Sequence, residues 1–193
     1  MNKTETKKLS EIISKPEISF DSIFSKEIKL HKFIIECSKL EEPDYNMKDL
    51  GYVKSVNPII RELMQIVNPC IYWFEADNEF EADEMMGDLN TFRNKKIGRT
   101  IPPKNKNYGG KCLYLGVRQG GMRKKGNFSF IAGRISIHLG YYHVNSTQGL
   151  NLVYWANHNV VLNVLELPQE SSIYLNLLEK LLASQMKPLC GRH

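Results

Sequence analysis

Apolar residues in this chain come in short blocks, and block length is what most narrows its fold. CIYWFE at 70–75, KCLYLGV at 111–117 and VVLNVLEL at 160–167 are dense in aromatic and β-branched residues. That composition suits strands, and the blocks are too short for buried helices. Asn151–Ala156 reads as a further strand, in a hairpin with 160–167 turning around Asn157–Asn159. No stretch approaches the roughly 18 consecutive apolar residues that a spanning helix needs, so no membrane partner is expected. The 193 residues and 42% hydrophobic content fit one globular domain with an appendage rather than a disordered chain.

Between the blocks, 3.6-residue periodicity predicts helices. Phe128, Ile131, Ala132, Ile135 and Leu139 share one side of a helix over Phe128–Leu139. Over Glu170–Met186, the residues Ile173, Tyr174, Leu177, Leu178, Leu181 and Leu182 form an apolar face. Asp77–Asp88 reads as a short acidic helix, and Asn90–Gly110 as a long Lys/Asn-rich loop. Residues 1–66 read as an N-terminal helical arm for recognition or dimerisation. It carries an amphipathic helix around Ser25–Ser38 and another after Asn57-Pro58. Residues 67–193 form the main domain, and the element order is α+β.

Charge is segregated along the chain. From Leu89 to Leu165 there is no Asp or Glu, while twelve Lys and Arg residues occur. The whole chain has a formal net charge of +5. A stretch without carboxylates suits a polyanion, because acids repel phosphate and each Lys or Arg contact releases a counterion. Lys111, Arg118, Arg123, Lys124 and Lys125 are the candidate nucleic-acid contacts. The start, MNKTETKKLSEIISK, is basic without an apolar core, so no secretory signal is expected and the cytoplasm is the expected compartment. Cys37, Cys70, Cys112 and Cys190 are widely spaced and are expected to be reduced.

Several chemistries find no support. His138, His143 and His158 lack zinc-site spacing, and neither a GxSxG elbow nor a P-loop occurs. Gln119-Gly120-Gly121 lies in a segment weakly similar to a coenzyme A pyrophosphate loop, with Arg123 where a small residue is needed. A different set stands in order. Cys70-Ile71-Tyr72 and Tyr114-Leu115-Gly116 lie on two strands. Arg134 and His138 follow four residues apart on one helical face. Glu179 then sits at the border of the last helix's apolar face.

This ordered set resembles the GIY-YIG nuclease family, over roughly Pro69 to the C-terminus. CIY stands for the first tripeptide, YLG for the second, RISIH for the Arg/His helix and the Glu179 helix for the metal ligand. The chain departs from the family in three places. Cys70 replaces Gly, about forty residues separate Tyr72 from Tyr114, and Gly191 stands where the family has Asn. The segment 77–107 is then an insertion.

The resemblance implies a small, mostly antiparallel sheet flanked by helices. It also implies metal-dependent hydrolysis of DNA phosphodiesters, most naturally double-stranded, as in a restriction or defence enzyme, with a homodimer among the options. Glu179 would hold Mg²⁺, with Mn²⁺ as a substitute. Arg134 would bind the scissile phosphate. Tyr72 or Tyr114 would act as base, helped by His138, and the sequence leaves open which tyrosine does what. Lys111 and His143 are reserve candidates. The alternatives are a non-catalytic nucleic-acid-binding module on the same scaffold and, less favoured, a coenzyme A-dependent acyltransferase.

Overall fold

The computed structural model describes residues 28–43, 56–95, 100–123, 128–141 and 148–191. Four strands form one antiparallel sheet, ordered β1-β4-β2-β3. They are β1 (Lys29–Ile35), β2 (Cys70–Glu75), β3 (Cys112–Arg118) and β4 (Val160–Glu166). The helices are α1 (Asn57–Leu63), α2 (Glu79–Asn94), α3 (Phe130–Leu139) and α4 (Leu175–Met186). The α+β expectation holds. Among the described residues no helix is long and apolar enough to cross a membrane.

Strand alternation divides the core in two. On β2, Cys70, Tyr72 and Phe74 join a large cluster with Ile131, Ala132, Ile135 and Leu139 of α3 and Met85 and Leu89 of α2. Ile71 faces the other way, with Leu115 of β3 and Leu175 and Ala183 of α4. Helices α3 and α4 therefore cover opposite faces of the sheet. Local signals start the helices where expected. Asn78 accepts a hydrogen bond from the Glu81 N–H at the start of α2, and Ser129 does the same for Ala132 at the start of α3. Gly140, at φ 104°, ends α3 in the left-handed region.

Four local expectations are corrected. The segment read as a helix around Ser25–Ser38 is strand β1 over 29–35, with residues 25–27 outside the described set. Its burial alternates, with Phe33 and Ile35 inside and Ile34 exposed. All seven residues pair with β4, so an available strand edge overrides a weak helical pattern.

Asn151–Ala156 is not a strand. Asn151 adopts a left-handed conformation (φ 58°) and a 3-10 turn follows at Leu152–Tyr154. The Trp155 indole N–H donates to the Leu150 carbonyl at 2.7 Å, closing the loop on itself. Helix α2 continues to Asn94, into the expected loop, because Leu89 and Phe92 extend its buried face. The last helix begins as a 3-10 turn at Gln169–Tyr174, and its buried stripe is rotated. Leu175 and Ala183 are buried, whereas Ile173, Leu177 and Leu181 are exposed.

Candidate functional site

Strands β2 and β3 hold Tyr72 opposite Gly116, and Phe74 opposite Tyr114. Tyr72 and Tyr114 thus point to the α3 face, one pleat apart, with ring centroids separated by 6.1 Å. Helix α3 supplies Arg134 and His138 to the same place. Arg134 Nε donates to the Tyr72 hydroxyl at 3.1 Å, and Arg134 Nη2 donates to the Tyr114 hydroxyl at 3.1 Å. The His138 Nε2 lies 3.2 Å from the Tyr72 hydroxyl. The His138 and Tyr114 rings approach to 4.5 Å. Four side chains from three elements, spread over 67 positions (72 to 138), therefore form one hydrogen-bonded cluster.

Glycine at 116 is a steric requirement of this arrangement. A Cβ there would lie 2.6 Å from the Tyr72 hydroxyl oxygen and 2.8 Å from its ring. Tyr72 lies across the bare backbone of its cross-strand neighbour, so the YLG glycine makes room for the cluster.

Two backbone groups outside the sequence pattern fix the cluster's geometry. The Gln148 carbonyl accepts from Arg134 Nη1 at 2.6 Å, and the Leu150 N–H donates to His138 Nδ1 at 3.2 Å. Both come from the closed loop that precedes the 3-10 turn. The Leu150 contact sets the histidine tautomer. With Nδ1 accepting, a neutral ring carries its proton on Nε2 and donates it to Tyr72. The Tyr72 oxygen then accepts two hydrogen bonds, from a guanidinium and an imidazole.

Burial sets the electrostatics. His138 is fully buried, and burial first, then the positive charges of Arg134 and Arg118, holds its pKa well below the ordinary value. The ring is neutral at physiological pH. Burial likewise pushes the Tyr72 hydroxyl above its ordinary range, reinforced by Tyr114 and opposed by Arg134. Tyr72 is therefore protonated at neutral pH. Burial works against the Arg134 charge, but the two tyrosine oxygens outweigh it and its pKa is raised. Tyr72 is 1% exposed and Arg134 8%, whereas Tyr114 is only partly buried. The cluster opens to solvent at the Tyr114 end, at the β3 edge of the sheet.

Glu179 is placed differently. It is half-buried on α4, one turn from Leu175 and one turn from Ala183, on the helix that packs against β3 from the opposite face of the sheet. Among the described residues there is no group of three or more His, Cys, Asp or Glu that could hold a metal ion. An all-protein cage is therefore not built from these residues. A single carboxylate ligand suits only an ion that keeps most of its waters, which is the habit of Mg²⁺.

The expected phosphate contacts also separate. Lys111 pairs with Glu75 at 3.7 Å. Arg118 is half-buried at the end of β3. The Arg123 guanidinium lies against the backbone of Gly133, where a Cβ would come within 2.6 Å of it. Lys124, Lys125 and His143 lie outside the described residues.

In the Gln119–Gly121 loop, the Gly121 N–H donates to the Val67 carbonyl at 2.7 Å, and a Cβ on Gly120 would lie 2.4 Å from that same oxygen. These glycines pack backbone on backbone. All four cysteines are buried and outside any disulfide, and burial raises Cys37, Cys70 and Cys112 to about 12. They serve as small apolar residues.

Sequence reasoning missed Gln148 and Leu150. Both act through main-chain atoms, which every residue carries, so residue type gives no signal. Comparison of the chain with protein-family models, with curated proteins and with solved structures gives no match, so the reading of this site rests on its own geometry.

Proposed function

We propose that the chain is a metal-dependent endonuclease of GIY-YIG type that hydrolyses DNA phosphodiester bonds. One observation carries the reading: Tyr72, Tyr114, Arg134 and His138 form a single hydrogen-bonded cluster with an open end at Tyr114. A guanidinium clasped by two tyrosines suits charge neutralisation on a phosphate. The acid-free stretch from Leu89 to Leu165 supports a polyanionic ligand.

The division of labour follows from exposure and protonation. Tyr114 and the outer N–H groups of Arg134 meet the phosphate. Tyr72 stays protonated and buried, so it positions Arg134 rather than accepting a proton from water. His138 holds Tyr72 in place and carries no charge. In the hydrolysis, water oxygen bonds to phosphorus as the P–O bond to the leaving sugar oxygen breaks; the attacking water gives its proton to bulk solvent and the leaving sugar oxygen takes one up from it. Glu179 is assigned a Mg²⁺ ion on the sequence pattern alone. Glu179 would hold that ion through its carboxylate, and the ion would supply an acidified water and charge neutralisation on phosphate.

The test is nicking of supercoiled plasmid in Mg²⁺, in Mn²⁺ and in EDTA. Cutting in either metal and none in EDTA is the expected result. Arg134→Ala should lower the rate at least about 100-fold, the scale of a lost transition-state donor. Glu179→Ala should abolish metal-dependent cutting and weaken Mn²⁺ binding seen by paramagnetic relaxation of water. Undiminished cutting by Arg134→Ala would overturn the site.

A second reading is favoured by one observation. Tyr72 and His138 are almost wholly buried and hydrogen-bonded within the cluster. Such a network also suits a structural core on a nucleic-acid-binding module without catalysis. That reading predicts salt-sensitive DNA binding and no nicking in any divalent metal.

A further inference from the structure

A second concave surface lies beyond the β3 edge. The loop at 103–108 and the C-terminal end of α4 enclose a cleft of about 1000 Å³. Four lysines line it, Lys104 and Lys106 from the loop wall and Lys180 and Lys187 from the helix wall. All four are exposed, and no Asp or Glu lines the cleft. Among the described residues, none of the four is ion-paired with a carboxylate; Lys104 instead lies over the Tyr108 ring at 4.4 Å.

Four unneutralised cations facing one cleft repel one another, and an anionic ligand relieves that repulsion. The two walls are joined to each other before any ligand arrives. Asn105 donates from its side chain to the Pro188 carbonyl at 2.7 Å and from its backbone to Leu189 at 2.9 Å. The Gly109 N–H donates to Lys187, and the Gly191 N–H to Pro103. Ligand binding therefore orders little backbone.

The cleft is also placed to serve the cluster. Cys190 bridges Lys104 on one side and Tyr114 on the other. Two strand spacings of nearly 5 Å each put the Lys104 backbone about 10 Å from that of Tyr114. Tyr114 is the least buried member of the Tyr–Arg–His cluster. A strand that lay along the lysines would run towards it.

We infer that this four-lysine cleft is a binding track for the sugar–phosphate backbone of the nucleic-acid strand that reaches Tyr114. Lysine is a point charge on a flexible stem, so the track grips backbone without reading sequence. Tyr108 supplies an aromatic face on which a base or sugar can stack. The inference deepens the nuclease proposal and rests on its premise that the ligand is nucleic acid.

The test is binding of a fluorescent DNA duplex by anisotropy, in EDTA, over a salt series. The variant carries Lys104→Ala, Lys106→Ala, Lys180→Ala and Lys187→Asn. Asparagine is used at 187 because that residue sits in the left-handed region at φ 45°. The expected result is a salt slope reduced by about 3 to 4, since each phosphate contact contributes about 0.9. Affinity should fall by more than about tenfold at low salt, with an unchanged thermal melt.

A control, Lys29→Ala with Lys32→Ala, removes two exposed lysines from β1 at the opposite edge of the sheet. It should leave the slope within about 1 of wild type. An unchanged slope in the quadruple variant, an equal loss per charge in the control, or no DNA binding by the wild-type chain overturns the inference. Wild-type binding without cutting, lost in the quadruple variant, would sink the nuclease reading and leave the track standing. Cutting with an unchanged slope would do the reverse.

Discussion

The two faces of one sheet carry different kinds of core. Towards α3, strand β2 offers Tyr72 and Phe74, and the helix answers with Arg134 and His138. Towards α4, the same strand offers Ile71 and Trp73 against Leu115, Leu175 and Ala183. Side chains one position apart thus belong to different chemistries. The α3 face tolerates an ion and an imidazole because each polar atom in the cluster has a partner. The α4 face gains its stability chiefly from apolar area, with Asn163 buried on it opposite Trp73, and its outer stripe of Ile173, Leu177 and Leu181 stays in solvent.

That contrast can be broken in a graded way. The largest stability effect belongs to the apolar face. Ile71→Ala should cost about 2–5 kcal/mol in chemical denaturation, with any activity of the folded fraction retained. Tyr72→Phe strikes the polar face. It keeps the ring but leaves Arg134 Nε and the His138 Nε2–H without an acceptor, at about 1–3 kcal/mol. Under the nuclease reading it also lowers cutting, so activity and stability should part company between these two variants. If Ile71→Ala lost activity in the folded protein as Tyr72→Phe does, the division between the faces would be wrong.

Acid sharpens the comparison further. His138 has a folded pKa depressed below its unfolded value, so the unfolded chain takes up the proton first. Its contribution is intact above about pH 6.5 and is lost as pH falls below that, at about 1.4 kcal/mol per unit. Denaturation between pH 7 and 5 should show this slope, and His138→Gln should show that much less of it. Tyr72 acts at the other end. Its raised pKa means that the unfolded chain loses a proton first above about pH 10, so stability falls there too. The smallest effect is expected at the outer stripe. Leu181→Gln should change stability by no more than about 0.5 kcal/mol, and a larger loss would mean that something covers this side of α4.

Much of the fold was legible because short blocks bounded by turn residues allow few alternatives. Strands β2, β3 and β4 and helix α3 fall close to where pattern puts them, and the i, i+4 spacing of Arg134 and His138 does bring them onto one face. The failures share a cause. Ile34 and Ile35 suit either helix or strand, and the free edge of β4 decided for strand. Apolar residues at 173, 177 and 181 have helical spacing, yet a neighbouring stripe won the sheet. The lysine cleft was invisible as a cleft, because its two walls are about seventy residues apart and meet through backbone hydrogen bonds.

By itself the sequence determined the block lengths, the charge segregation and the residue types able to cluster, since these depend only on local order and composition. The tertiary structure decided which stripe of α4 is inside, which histidine nitrogen carries the proton and which tyrosine meets solvent. Those outcomes depend on partners distant in the chain, such as the Leu150 amide and the Gln148 carbonyl, and folding alone brings them within 3.2 Å of the side chains they fix.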